Sequence, residues 1–345
     1  MKLEEYCDDI MDKLQELLAI DSPTGYTREA AAYMIREYEK LGYHPVQTVK
    51  GGVLVDLGGE DTENGLLFAA HIDTLGAMVH EIKGNGRLRL TPVGGLHPEN
   101  TETENCRIIT KFDGEYEGTF QLCNASLHVN DDYSNAGRCW DHMEVVIDEK
   151  VSSKAETMAL GIRNGDYVVF EPRTRITASG YIKSRFLDDK LSAAILMGHA
   201  RYLKEEGVTP SRRTWHYFTV YEEVGHGASH GVPEGVKEVI SVDMGCVGDG
   251  LECTERQVSI CAKDSRNPYN YDVVKEMIRI CREEGIDYAV DVYPHYGSDV
   301  DTTLMAGYDI RHGLIGAGVY ASHGYERSHK DGAMNTFRLI AAYDR

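Results

Sequence analysis

The residues of this chain with chemical potential are acids and imidazoles placed where apolar runs stop. Leu66-Leu67-Phe68-Ala69-Ala70 ends in His71-Ile72-Asp73-Thr74. The aromatic and β-branched stretch Thr214–Tyr221 ends in Glu222-Glu223, and Val239–Val242 ends in Asp243. Asp188-Asp189 opens an apolar helical stretch, and Ala321-Ser322-His323 through His329 lies near the end of the sequence. His71 can give a metal one ring nitrogen while Asp73 orients the ring through the other N–H. Asp188 and Asp189 could cap a helix and complement its dipole, or one of them could bridge two cations. Paired glutamates at a buried strand end are costly unless they are used. One can ligate a metal while its neighbour acts as general base toward an activated water. Asp243 alone is an ordinary strand-end acid, and only one of His323 and His329 is needed. A His, Asp, Glu, Asp, His donor set suits zinc, cobalt or manganese better than a calcium or magnesium cage. With one bridging aspartate it would make a two-metal centre able to activate water for hydrolysis.

The elements that must carry these residues alternate between helix and strand. Glu4 to Ile20 shows a helical stripe of Ile10, Leu14, Leu17 and Leu18. Thr27 is placed to cap a second helix reaching Leu41. Strands are expected over Gly52–Leu57 and Gly65–Ala70, then a helix over Leu187–Leu203. Further strands are expected over Thr214–Tyr221, Val239–Val242, Gln257–Ala262, Tyr288–Tyr293 and Asp309–Gly316, with helices over Tyr269–Glu284 and Val300–Ala306. The continuous apolar runs predict an α/β fold with a mainly parallel central sheet covered by helices. Its ligands would gather at the carboxyl edge of that sheet. Residues 75–179 have a different texture, with many glycines and short β-rich pieces. They read as an inserted β-rich domain, leaving 1–74 and 180–345 as the α/β catalytic domain.

The totals restrict the function classes. The 345 residues are 42% hydrophobic and 27% charged, with a formal net charge of −20, enough apolar content for a sizeable core and a poor match for nucleic acid. The eight cysteines contain no CxxC pair, which argues against a disulfide framework or zinc ribbon. No membrane partner is expected, because no run approaches the 18 or so apolar residues of a span. The N-terminus has no signal-peptide pattern, so a cytoplasmic location is expected.

Five motifs occur in one order along nearly the whole chain: Ala70-His71-Ile72-Asp73-Thr74-Leu75-Gly76, Leu187-Asp188-Asp189-Lys190, Glu222-Glu223-Val224-Gly225-His226-Gly227-Ala228, Val242-Asp243 and Ser298-Asp299. In combination they resemble the M42 family of metallo-aminopeptidases, of the glutamyl aminopeptidase and TET type. The resemblance implies a zinc-exopeptidase-like fold and two divalent metal ions per subunit, most often zinc. It places His71, Asp188 and Asp243 on one metal and Asp188, Glu223 and His323 on the other. Glu222 matches the general base and Asp73 the partner of the first histidine. The insert matches a PDZ-like domain that builds homo-oligomers, commonly dodecamers, and the substrate implied is a short peptide. In one respect the chain departs from the usual pattern: His323 is followed by Gly324, with Glu326 three residues on rather than four. That ending, with Asp73-Thr74-Leu75-Gly76-Ala77-Met78-Val79, resembles a branch associated with N-acetylglutaminylglutamine amide osmoprotectant systems. An amidohydrolase or deacylase acting on N-acyl amino acids or dipeptides, a glycosidase, and a metal-free scaffold are the competing readings.

Overall fold

The computed structural model describes residues 3–345, which form two compact units. The larger holds the chain up to Thr74 and Arg173–Arg345; the smaller is Leu75–Pro172. The larger begins with α1 (Leu3–Leu18), α2 (Arg28–Lys40), β1 (Val46–Gln47), β2 (Val53–Gly58) and β3 (Asp61–His71). The smaller contains β4 (Gly76–Ile82), β5 (Leu88–Val93), β6 (Asn105–Ile109), β7 (Glu115–Leu122), β8 (Met143–Ile147), α3 (Lys154–Ala159) and β9 (Tyr167–Phe170). The larger resumes with β10 (Arg175–Ile176), β11 (Tyr181–Ser184), α4 (Leu187–Glu205), β12 (Arg212–Thr219), β13 (Val236–Val242) and β14 (Gly245–Val247). It closes with β15 (Val258–Lys263), α5 (Tyr271–Glu284), β16 (Tyr288–Val292), α6 (Asp299–Met305), β17 (Arg311–Tyr320), β18 (Glu326–His329) and α7 (Lys330–Tyr343). Because β10 and β11 pair with each other and β11 with β18, residues 173–179 belong to the larger unit and not to the insert, whose expected end lay at 179.

The larger unit is built on a twelve-stranded sheet with the path β1-β2-β12-β3-β13-β17-β18-β11-β10. Its centre is parallel, with β3 between β12 and β13, and β13 beside β17. The expectation of a mainly parallel sheet needs correction. The pairings β1–β2, β2–β12, β15–β17, β17–β18, β11–β18 and β10–β11 are antiparallel, so the sheet is mixed. Continuous apolar runs mark only strands covered on both faces, and the outer strands are short and more polar. Both faces of β3 are filled: Leu66, Phe68 and Ala70 pack among α1, α2, α4 and α7, while Leu67 packs with Tyr217, Val239 and Val300 on the other side. α1 buries Ile10, Leu14 and Leu17 completely, the stripe its sequence shows. Thr27 does stand at the start of α2, but its side chain makes no capping bond. α7 follows the last predicted strand and had no counterpart in the sequence reading.

The smaller unit is a closed barrel with strand order β4-β5-β8-β7-β6-β9. Alternate residues point inward, and Leu90, Ile108, Phe120, Val145 and Val168 fill it. Phe120 and Phe170 meet edge to face at 5.8 Å.

Candidate metal centre and active site

Register brings the predicted acids together. Thr219 of β12 is level with His71 of β3, and Ser241 of β13 with Ala69. The residues that follow these strands, Glu222-Glu223, Asp73 and Asp243, therefore leave the sheet at one edge. Phe186 and Tyr221 adopt left-handed φ values of 66° and 67° just before Leu187-Asp188 and Glu222, and His323 itself has φ 61°. Sharp turns of this kind lift side chains off the sheet edge instead of continuing the strand. Asp188 and Asp189 have non-helical backbone angles within the first turn of α4, and the peptide bond between them is cis.

Asp188 lies at the middle of the cluster. Its Oδ1 is 3.0 Å from His71 Nε2, and its Oδ2 is 3.4 Å from His323 Nε2. His323 Nε2 is also 3.6 Å from Glu223 Oε2, and His71 Nε2 is 3.7 Å from Glu222 Oε2. His71 groups with Asp188 and Glu223, and separately with Asp189 and Asp243, each set offering ligand atoms within 4.8 Å of one another. Each of the seven expected residues is thus in or against one cluster. His329 is elsewhere: its Nε2 bonds the Ser179 carbonyl at 2.8 Å, and its Nδ1 accepts from Asp331 N at 3.0 Å, capping α7. Asp189 turns one oxygen to His71 N, and its buried Oδ1 has no hydrogen-bond partner.

Asp73 behaves differently from the expectation. His71 Nδ1 bonds the backbone carbonyl of Asp73 at 2.9 Å, while the nearer carboxylate oxygen is 3.7 Å away. The carboxylate accepts instead from Glu222 N at 3.2 Å and from Thr24 Oγ1 at 2.6 Å. It therefore fixes the backbone that carries Glu222. Glu326 was noticed in the sequence only for its spacing. Its two oxygens accept from Asp188 N and His323 N, each at 3.0 Å, and so join two candidate ligands. Asp299 accepts from Thr219 Oγ1 and Ala228 N, behind the glutamate pair. Thr24 carries no signal in its local sequence.

The electrostatics calls for positive charge. Burial, and then repulsion from Asp243, Asp299 and Glu223, pushes Glu222 well above the ordinary carboxyl range, against the pull of His71. Glu223 is raised for the same first reason, burial, with Asp188 adding to it. Burial followed by the charge of Asp188 lifts Asp243 to about 7 and Glu326 to about 8. Burial opposes charge on the imidazoles, yet Asp188 and the other acids hold His71 well above its usual value and His323 at about 10. Asp188 is held low: burial acts upward, but its bonds to His323 and His71 prevail. Converging buried acids this close are tolerable only with protons or cations among them. The imidazole and carboxylate donors, and the orphaned Asp189 oxygen, fit divalent cations of the zinc type. His323 is 38% exposed on its side chain whereas His71 is 1%, so the cluster opens to solvent on the His323 side.

Comparison with known proteins identifies the family. Residues 51–339 match the family described as M42 glutamyl aminopeptidase. The chain belongs to the M42 family. A relative named putative aminopeptidase YhfE, from Bacillus subtilis (strain 168), is 40% identical over 333 residues, covering 96% of each chain. The TET aminopeptidase of the marine-sediment archaeon Thaumarchaeota archaeon SCGC AB-539-E09 superposes with a TM-score of 0.87 at 19% identity, over 98% of this chain and 96% of that one. The TET1 peptidase of Pyrococcus horikoshii, described as assembling into a tetrahedron or a large octahedral shell, gives 0.84 at 22%, over 97% and 99%. As an M42 member the chain is an aminopeptidase and a hydrolase. Among the described residues no helix is long and apolar enough to cross a membrane.

Proposed function

We propose that this M42 aminopeptidase removes N-terminal residues from short peptides with two divalent metal ions, zinc by preference. His71, Asp188 and Asp243 would hold one ion, and Asp188, Glu223 and His323 the other. The observation that carries the reading is Asp188, whose two oxygens face two different imidazoles at 3.0 and 3.4 Å, the arrangement a bridging ligand needs. Bound ions of this kind supply Lewis acidity toward a carbonyl and lower the pKa of water. Glu222 supplies the proton handling: a largely buried carboxylate accepts a proton from the attacking water and returns it to the leaving amine. The surplus of carboxylates also favours a substrate with a free, cationic amine over an N-acylated one. The barrel unit is assigned the PDZ-like role in building a homo-oligomer, a dodecamer on the family's pattern, in the cytoplasm.

The test combines metal analysis with a panel of free-amine and N-acylated dipeptides. Wild-type protein should carry two metals per chain and cleave the free-amine set. Glu222→Gln should keep the metals and lose turnover by about 10²-fold or more. A Glu222→Gln enzyme that still turns over removes the base assignment. Preference for N-acylated substrates overturns the substrate class.

A further inference from the structure

Lys50 lies in the turn before β2, 176 residues before His226, and is half-buried. Its Nζ donates to the His226 carbonyl at 2.5 Å, to the Gly227 carbonyl, and to Ser229 Oγ at 3.4 Å. All three acceptors belong to the loop that follows Glu222-Glu223. The peptide between Gly227 and Ala228 is held at both ends: its carbonyl faces Lys50, and its N–H donates to Asp299 Oδ1 at 2.7 Å. Thr303 Oγ1 donates to the next carbonyl, that of Ala228, at 3.0 Å. Gly227 has no room for a side chain. A methyl group on its Cα would overlap Asp299 Oδ1 and stand 3.2 Å from Glu222 Cβ. No side chain therefore fits at position 227, where the loop passes beside Asp299 and the base of the Glu222 side chain.

We infer that Lys50 is a positioning residue for the general base: its ammonium fixes the His226 and Gly227 carbonyls, and through that loop the placement of the Glu222 side chain. The assignment rests on the reading of Glu222 as base. Lys50 touches no candidate metal ligand, and its contacts are carbonyls and a hydroxyl. Burial opposes the charge on Lys50 and lowers its pKa, while Asp299 and Asp73 offset part of that cost and the carbonyl oxygens accept its hydrogens. Removing it frees the loop to shift by fractions of an ångström, which general-base geometry does not tolerate.

The experiment uses the metal-loaded enzyme with Lys50→Met, Lys50→Gln and Lys50→Arg. Lys50→Met should lower kcat by about 10- to 100-fold. KM should stay within about threefold and metal content should be unchanged. Lys50→Arg, which still donates to two carbonyls, should recover most of kcat, and Lys50→Gln should fall between. Melting temperatures are read alongside, and if Lys50→Met does not fold, Lys50→Gln carries the test. Wild-type kcat in Lys50→Met overturns the inference. So does a loss fully accounted for by the unfolded fraction, or a Lys50→Arg enzyme no more active than Lys50→Met. Glu222→Gln, measured in parallel, separates the two failures: if it stays active, the base reading falls first and the Lys50 role with it.

Discussion

Glu326→Gln is the sharpest probe of how the two halves of the cluster are tied. In the wild type, two carboxylate oxygens accept from Asp188 N and His323 N at 3.0 Å each. Glutamine keeps one acceptor and turns an NH2 toward the other N–H, so one bond is lost and two donors face each other. A hydrogen bond to a charged group contributes about 1.5–3 kcal/mol. Taking about 2 kcal/mol, whichever backbone is released carries a candidate ligand of the same ion, and that ion's affinity should fall about 30-fold. The size agrees with the 10- to 100-fold cost typical of groups that support metal ligands. The lost negative charge acts in the same direction. In the metal-free protein the penalty fades, because burial and the charge of Asp188 keep the Glu326 carboxyl largely protonated near neutral pH, and glutamine then replaces a neutral group of the same shape. Activity titrated against zinc should therefore shift to higher concentration and reach a near-normal plateau. The rise in melting temperature on adding zinc should shrink, while the metal-free melting temperature holds. An unchanged zinc titration, or equal destabilisation with and without metal, would refute the reasoning.

Two further outcomes follow from the same geometry. His329→Ala should keep its metals and its activity, losing about 1 kcal/mol of stability as the α7 cap disappears, whereas His323→Ala should lose metal; denaturant melts and metal analysis separate them, and a metal-depleted His329→Ala would return His329 to the site. His199 and His216 form a buried pair at 3.1 Å, with Tyr38 Oη 2.7 Å from His216. Burial pushes His199 down to about 3, so only the unfolded chain binds its proton between that value and the ordinary 6.5. This group's stabilisation is present above pH 6.5 and lost as pH falls. The stability gap between wild type and His199→Leu should close by about 1.4 kcal/mol per pH unit below 6.5; parallel stability curves would rule it out.

What the sequence shows of this site, and what it hides, follows from where each signal comes from. His71, Glu222-Glu223 and Asp243 are legible because each stops an apolar run, and a strand buried on both faces has little freedom in composition. The outer strands β1 and β10, two residues each, carry no such signal, which is why the mixed pairing and the 172/173 boundary were not visible. Nor could spacing assign the direction of a side chain. Asp73 two residues after His71 looks like a partner for its ring, yet the turn offers the ring a carbonyl and sends the carboxylate to Glu222 N. Lys50 and Glu326 act through backbone groups far from them in sequence, which almost any residue can supply, and Thr24 acts on the Asp73 carboxylate from 49 residues away. Sequence reading therefore recovers the groups that do chemistry more readily than those that aim them. Here such groups converge on one short segment: Asp73 holds Glu222 N, and Asp299 and Lys50 hold the Gly227–Ala228 peptide. If Glu222 is the base we propose, its backbone and the loop behind it are held by Asp73, Asp299 and Lys50, which would leave the solvent-facing side near His323 freer to vary with the substrate.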